Sequence, residues 1–437
     1  MTLPSGVKKP IQETVDVPVW EREDAFPQAP SGWGWVDSKG KSHACDSLET
    51  LAGAIRDDRD GIVTLVWTPD HARMILPEEH GGMGDALRTA RERWTRDDLD
   101  DATHKLRWFG AALAGLSLYS FFGGLMWAGQ LAARSGTTID LAQRMKFAAR
   151  AVLGSTQTGL ALLMFVVFAF IPWYQARKRR AALGKWTEAG IADAAPVIRF
   201  ETWLERQKAP LTKVLLGMIS LVALAQILSH VKSDGLATLL QVFQNWDSIP
   251  AAGLMKDRYA QGEWWRLFTA PFLHGNIVHF LMNAAGLAYL GKRLEVFARW
   301  PHLPLVFLFA ACVGGEASAR FVAAPSVGAS GGLMGWLGFL LVFETLHQRL
   351  VPRRARRRLA AGVFLTALIG LIGYRFIDNA AHAGGLIAGM LYGWIVFPPS
   401  SSPNRPRSTV TDRVAGGLAL AVLGASAAFA ILRILTI

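Results

Sequence analysis

The chain is poor in charge. Only 18% of its 437 residues are charged and 51% are hydrophobic, whereas an average soluble domain carries about 25% charged residues. That shortage excludes a disordered chain and argues against a plain soluble enzyme. Cysteine is scarce too. Cys45 and Cys312 are the only two, so no disulfide framework can be built from them. The opening residues, MTLPSGVKKPIQETVDV, lack the apolar stretch of a signal peptide, so insertion into a membrane is expected to use the first spanning segment. No internal repeat is present.

What is there is collected into apolar runs. A membrane-spanning helix needs about 20 mostly apolar residues, each rising about 1.5 Å across a hydrocarbon core of about 30 Å. Nine runs are candidates: 108–133, 151–176, 214–231, 267–291, 300–319, 321–343, 359–374, 379–399 and 414–432. The charge left over is uneven. The formal net charge is +12, and Lys and Arg gather in alternate connections, as the positive-inside rule expects. Nine lie in 177–213, five arginines in VPRRARRRL, three residues in 292–299 and three in 405–413. The loop 134–150, with Arg134, Arg144, Lys146 and Arg150, departs from the alternation. The pattern predicts a cytoplasmic N-terminus and an outer C-terminus, and it reads the basic runs as orientation signals rather than a nucleic-acid surface.

The expected organisation follows from these runs. Residues 1–31, rich in Pro and charge, read as a loose segment. Residues 32–107 read as a small cytoplasmic α/β domain. Within it SGWGWVDSKGK suggests a strand and turn, DSLETLAGAIRD a helix capped by Asp46 or Ser47, and GIVTLVWT a strand. Residues 84–107 read as a charged helix running into the first span. No metal, nucleophile or phosphate pattern stands out in this domain, so a cytoplasmic protein partner is its default role. Residues 108–176 hold two transmembrane helices, 177–213 a cytoplasmic connector, 214–399 a six-helix core, 400–413 a polar linker and 414–437 a final span.

Polar side chains inside spans are costly and are functional candidates by default. The run LFTAPFLHGNIVHFLMNAAGLAYLG holds His274, His279 and Asn283. His279 and Asn283, four apart, share one helical face. His274 stands roughly 140° from His279 on an ideal helix of 3.6 residues per turn. Such groups can donate to a developing negative charge, or simply join helices. The run FVAAPSVGASGGLMGWLGFLLVF sets Ser330 among Gly328, Gly331, Gly332, Gly335 and Gly338. Glycines allow close helix packing, and they also expose a serine hydroxyl and N–H as a nucleophile requires. In NAAHAGGLIAGMLYG, His382 shares a face with Gly385 and Gly389. That face fits the Ser330 helix, and a His beside a Ser can act as general base. With the basic connections inside, Ser330, His382, His279 and Asn283 all fall near the outer ends of their helices. Asp378 is the one carboxylate close by, so a Ser–His dyad is favoured over a triad. His230, His302 and His347 at span ends read as interfacial, and Glu316 is placed to pair with Arg320.

The residues then carry a resemblance. GEWWRLFTAPFLHGNIVHFLMN, LGKRLE (290–295), SVGASGGLMG and AHAGGLIAG together resemble the E-x-W-R, spaced-histidine, G-x-x-L-E, G-x-S-G and H-x-x-G-x-x-x-G motifs of rhomboid intramembrane serine proteases, in order, over about residues 210–398. The resemblance implies an all-α polytopic membrane protein with a six-helix rhomboid-like core. Two extra N-terminal spans, one extra C-terminal span and the small α/β domain fall outside it. It implies Ser330 as nucleophile, His382 as general base, and His279, Asn283 and the Ser330 N–H as the oxyanion hole. His274 becomes accessory to the site, beside Gly328 and Gly331 of the serine motif. Trp265 and Arg266 would belong to an outer loop resting at the membrane surface, and Glu295 would be structural at the cytoplasmic end. Met334 departs from the pattern, standing where many relatives place an aromatic ring on the catalytic His.

The expected activity is cleavage of transmembrane protein substrates near the outer face of a bacterial-type inner membrane, without metal or organic cofactor and with the lipid bilayer as surroundings. A rhomboid-like pseudoprotease that binds clients uncut is the alternative, although such proteins normally lack the Ser or the His. A transporter or channel would call for charged residues along a midplane path, and the core runs offer almost none.

Overall fold

The computed structural model describes residues 17–58, 61–136, 138–183, 188–235, 248–374 and 377–436. Residues 1–16 of the expected loose segment, residues 236–247 and Arg375 lie outside that description. The chain is mostly helical, with one three-stranded sheet near its start.

That sheet pairs β1 (Trp33–Asp37) antiparallel to both β2 (Ser42–Cys45) and β3 (Val63–Trp67), in the order β2-β1-β3. The β1–β2 turn forms because Asp37 Oδ1 accepts from the N–H groups of Lys39 and Lys41 at 2.9 and 2.8 Å. Helix α1 (Leu48–Asp57) starts at Ser47, whose Oγ accepts from Thr50 N at 3.2 Å, an ordinary N-cap. Its buried Leu51 and Ile55 pack with Val66, Met83, Ala86 and Leu87.

Helix α2 (Gly84–Ser135) is a single helix of 52 residues that leaves this domain and continues as the first apolar run. The basic loop 134–150 that broke the charge alternation is largely helical. Most of it belongs to α3 (Leu141–Gly154), which runs on into the second apolar run and lies against α2. A Cβ at Gly124 of α2 would come within 2.8 Å of Ala148 Cα, so glycine there permits the contact. The second run continues as α4 (Thr156–Met164), a π-helical segment (Phe165–Phe170) and α5 (Ile171–Leu183). Arg179 of α5 pairs with Asp98 of α2 at 2.9 Å, so α5 ends near the α/β domain.

The connector contains α6 (Glu188–Arg206) and leads to the core. The six core helices are α7 (Pro210–Asp234), α11 (Ile277–Ala298), α12 (His302–Phe321), α13 (Ser330–Leu346), α14 (Arg353–Ile372) and α15 (Asn379–Val396), and the final α16 (Val410–Leu435) packs on α7 and α12. Between α7 and α11 lie three short helices, α8 (Ile249–Ala252), α9 (Lys256–Ala260) and α10 (Arg266–Thr269). Among the described residues five helices are long and apolar enough to cross a membrane: Gly81–Ser135, Gln157–Leu183, Pro210–Ser233, His302–Phe321 and Val410–Leu435. Helix α13 is apolar but has only 17 residues, and α14 opens on the arginine run.

Two apolar runs are not helical throughout. Residues 267–291 divide into the short α10, a 3₁₀ turn (Ala270–Phe272), a connector and α11. The helix starts late because Asn276 is its N-cap, its Oδ1 accepting from His279 N at 2.9 Å. Residues 321–343 likewise hold the end of α12, an extended stretch and α13, which begins at Ser330 itself. Gly328 in that stretch has φ +118°, a backbone that side-chain-bearing residues rarely adopt.

The α/β domain rests on the lower end of the core. Residues 17–31 take part in this contact, for Trp20 and Phe26 are buried. Trp20 Nε1 donates to Leu350 O at 2.8 Å, and its ring meets Phe200 edge-on, which in turn stacks on Phe297 of α11. Arg199 of α6 donates to both Glu79 oxygens and to the carbonyls of Trp20 and Arg22. Below the aromatic group, Arg293 of α11 and Glu344 of α13 form a bidentate pair at 2.6 and 2.9 Å, both buried. Glu295 accepts from the N–H groups of Leu211 and Thr212 and from the Thr212 hydroxyl, and so caps the start of α7.

The tightest packing joins α13 to α15. A Cβ on Gly385 would stand 2.0 Å from Gly331 O, one on Gly389 1.8 Å from Gly335 O, and one on Gly338 2.2 Å from Leu386 O. Helix α12 joins them, since a Cβ on Gly314 would stand 2.6 Å from Ala381 O. Backbone cannot rotate away as a side chain can. Gly389→Ala should therefore cost roughly 3 kcal/mol, read as a lowered thermal midpoint in detergent. Gly417→Ala, on the open side of α16 with nothing within 4 Å, should leave stability unchanged or raise it by up to about 1 kcal/mol. Equal responses of the two variants would contradict this packing.

Candidate active site

The upper end gathers the N-termini of α11, α13 and α15, and with them the polar residues picked out from sequence. Ser330 is the first residue of α13 and is partly exposed. The first intrahelical bond of this turn runs from Leu333 N to Ala329 O at 3.0 Å. The N–H groups ahead of it have no partner within the helix, as at any helix start. The Ser330 N–H is one of these.

Across from Ser330 stands α11. Gly328 separates the two, and a Cβ there would fall 2.7 Å from His279 Nε2 and 3.6 Å from Asn283 Nδ2. His279 Nδ1 accepts from Gly275 N at 3.4 Å, which leaves Nε2 to carry the proton of the neutral ring. Asn283 Nδ2 uses one hydrogen on His279 O at 3.0 Å and keeps the other. Two side-chain donors therefore face the space beside Gly328.

His382 lies in the first turn of α15, partly exposed. Its N–H donates to Asp378 O at 3.1 Å, and Asp378 Oδ1 caps the helix by accepting from Ala381 N at 2.9 Å. Ala381 abuts Gly314 and Gly331, so the α12–α13–α15 packing fixes His382 beside the serine turn. Among the described residues no hydrogen bond directly joins Ser330 and His382. In free enzymes such bonds are often long and tighten with substrate. Met334 is buried in the core one turn below Ser330.

Several residues are placed in more detail than the apolar runs suggest. His274 stands in the connector before α11 rather than on a helix. It is fully buried, edge-on to His279 with centroids 5.3 Å apart. Its backbone N–H donates to Gln226 Oε1 at 2.9 Å and its carbonyl accepts from Gln226 Nε2 at 3.0 Å. Gln226 of α7 thus holds this connector, a part that composition alone did not single out. Arg266 lies in the connector between α7 and α11. Its side chain is fully buried, donating to Glu263 and to the carbonyls of Pro250 and Gly253. Trp265 packs on Phe429 of α16 rather than anchoring freely. His230, His302 and His347 are buried rather than interfacial. His302 pairs with the Tyr392 hydroxyl at 2.9 Å, and His347 stacks on Phe343. Glu316 does pair with Arg320, at 2.7 Å.

The connector between α7 and α11 grips the serine turn. Leu254 and Ser326 exchange backbone hydrogen bonds at 2.9 and 3.1 Å, and Gly328 N donates to Ala270 O at 3.0 Å. Lys256 Nζ donates to Ser318 Oγ at 2.5 Å, while the hydroxyls of Ser318 and Ser326 both donate to Asp378 Oδ2. One carboxylate thus ties the connector, α12, the serine turn and the start of the His382 helix together. Sequence reading noted Asp378 only as a nearby acid. The signal available was its place at the N-cap.

Part of the chain is similar in sequence to known proteins. The family profile described as Rhomboid domain matches residues 261–399. The Rhomboid protease GluP of Bacillus subtilis (strain 168) is 35% identical over 150 residues, 33% of this chain and 29% of that protein. The RHOMBOID-like protein 6, mitochondrial, of Arabidopsis thaliana is 36% identical over 139 residues, 31% of this chain and 44% of that protein. The Inactive rhomboid protein 2 of Homo sapiens is 30% identical over 139 residues, 31% of this chain and 16% of that protein. The chain therefore covers less than half the length of each of these relatives. Residues 261–399 are thus similar to a rhomboid domain, and the chain is a multi-pass membrane protein.

The Lys256 contact can be tested by pH. Burial lowers its ammonium from the ordinary 10.5 to about 8, against the opposing pull of Asp378. Between about 8 and 10.5 the unfolded chain then binds more protons at this group than the folded one. This group's contribution to stability must therefore rise with pH through that window, and its burial cost is fully present below it. The thermal midpoint of the wild type minus that of Lys256→Met should increase from pH 7.5 to 10.5. A difference that stays flat would place Lys256 in water.

Proposed function

We propose that the chain is an intramembrane serine endopeptidase that cuts transmembrane substrate segments near the outer membrane face. The observation that carries this reading is the meeting of Ser330, at an uncapped helix start, with the His279 and Asn283 donors around Gly328. In the proposed reaction Ser330 Oγ attacks the scissile carbonyl and His382 takes its proton. The oxyanion that forms receives hydrogen bonds from His279 Nε2–H, Asn283 Nδ2–H and the Ser330 N–H. His382 returns the proton to the leaving amine, and water then releases the acyl group by the same route. A helical substrate must unwind at the cut, because a hydrogen-bonded helical peptide carbonyl is shielded from attack.

Asp378 and Ala381 place His382, and Gly385 lets α15 come close to the Gly331 carbonyl, as a dyad needs. His274, Gly328, Met334, Trp265 and Arg266 act as supports rather than reacting groups. The second reading, a pseudoprotease, is kept because relatives of both kinds are similar to this chain. Presence of both Ser330 and His382 favours the first. The orientation that goes with it is a cytoplasmic N-terminus in a bacterial-type inner membrane, with the α/β domain facing the cytoplasm.

A fluorophosphonate probe on the detergent-purified chain should label the wild type and not Ser330→Ala. Labelling that survives in Ser330→Ala would remove the nucleophile assignment. Cleavage of a transmembrane substrate should fall at least about a thousandfold in Ser330→Ala and His382→Ala, and about a hundredfold in His279→Ala. Unlabelled wild type that still retains membrane clients would favour the pseudoprotease. For orientation, a reporter fused after the last residue should be active only outside the cytoplasm, and a cytoplasmic signal would reverse the assignment.

A further inference from the structure

Four arginines meet at the lower end where three distant segments come together. Arg22 comes from the segment ahead of the sheet, Arg299 from the turn between α11 and α12, and Arg405 and Arg407 from the linker before α16. With Val19 and Asn404 they line a cavity of about 290 Å³. A second cavity of about 580 Å³ shares Arg299 and Arg405 and adds Lys208 and an apolar wall that includes Leu211, Trp300 and Leu420.

Among the described residues none of the four arginines has a carboxylate partner. Arg22 donates to Val17 O and Asn404 Oδ1, Arg299 to Pro406 O, and Arg405 to Val296 O. Each guanidinium carries five N–H donors, so most remain unused. The nearby carboxylates are committed elsewhere. Glu295 caps α7, and Asp412 accepts from Thr409 N at the start of α16. Like charge is concentrated here at a cost. Burial, and then the charges of Arg299 and Arg22, draw the Arg405 guanidinium below its usual range. Arg299 is also the one non-glycine residue with positive φ among those described, at +74°, a conformation seldom adopted without a compensating contact. The acceptors that Arg299 and Arg405 use are uncharged backbone carbonyls.

We propose that this cavity binds a phosphate-bearing anion. Guanidinium forks match phosphate oxygens two at a time, and the smaller cavity has several times the roughly 30 Å³ of one water. The apolar wall of the larger cavity, with Trp300 at the level of the helix ends, suits the glycerol and acyl part of an anionic phospholipid. Free phosphate would use the same arginines without that wall. In either case the anion joins the segment carrying Arg22 to the core, and so strengthens the seating of the α/β domain.

The test uses the full-length chain in detergent. Thermal unfolding is followed in micelles doped with phosphatidylcholine or with phosphatidylglycerol, and separately with inorganic phosphate against chloride of equal ionic strength. Native mass spectrometry counts retained lipid. The wild type should retain phosphatidylglycerol and unfold at a higher temperature with it. Arg405→Gln/Arg407→Gln should weaken retention roughly tenfold or more. Arg353→Gln/Arg357→Gln, which removes two exposed charges from the same end, should not. A midpoint shift with inorganic phosphate alone, again lost in Arg405→Gln/Arg407→Gln, would support the site with a free anion as its source. Should the double variant fail to fold, Arg407→Gln and Arg22→Gln singly should each show the weaker retention. Equal retention and equal shifts in wild type and cavity variants, or no response of the wild type to either anion, would overturn the proposal.

Discussion

Everything at the upper end depends on how closely the backbones of α13 and α15 approach. The contact atoms are carbonyl oxygens of Gly331, Gly335 and Leu386 facing glycine α-carbons. At that separation dispersion and weak Cα–H contacts act along the whole interface, and no side chain intervenes to take up slack. The same approach decides where Ser330 and His382 stand, since each lies in the first turn of its helix. Gly332 adds to it by leaving room for Phe307 of α12, while Trp336 Nε1 donates to Leu303 O at 3.0 Å. The three helices therefore behave as one block.

The connector between α7 and α11 gives that block its outer rim. Between its short helices the described part is irregular backbone, and its polar groups need partners wherever water is scarce. Arg266 supplies them from inside, with Thr269 Oγ1 donating to Ala252 O at 2.6 Å and Gln226 doing the same for His274. The rim reaches the site through the Leu254–Ser326 bridge and through Asp378. At the lower end the arrangement differs. There the core is closed by full charges, Arg293 with Glu344 and Arg199 with Glu79. A buried pair of that kind adds little net stability, but removal of one partner is costly, so it fixes which helices meet rather than how strongly they hold.

Much of this was legible in the sequence. Apolar runs indicated most of the helices, and strand and cap signals found β1, β3 and α1 but not β2. Side-chain chemistry singled out Ser330, His382, His279 and Asn283, which the fold brings to one end. Hydropathy could not see where helices start. Asn276 and Gly328 end two apolar runs early through a cap and a positive φ, and neither changes the apolar count. That is why His274 was read on a helix and why Ser330 was read within one. The buried role of Arg266 was hidden for a related reason, since its acceptors are backbone carbonyls that no sequence pattern displays. The seating of residues 17–31 rests on two aromatic side chains amid polar ones, a signal too sparse for composition to register.

Helix α2 carries a consequence of its own. It is held near its start by the α/β domain, where Trp94 Nε1 donates to Asp58 O at 2.6 Å, and near its end by α3 at Gly124. Its 52 residues make a rod of about 78 Å at 1.5 Å per residue, well over the thickness of a bilayer core. The two holdings are thus phased by residue count. Adding one residue between them turns the far contact by about 100°, whereas adding seven nearly restores it while moving it about 10 Å along the axis. Length and rotation in this part of the chain are therefore not independent variables, and only insertions close to whole numbers of turns keep Gly124 facing α3.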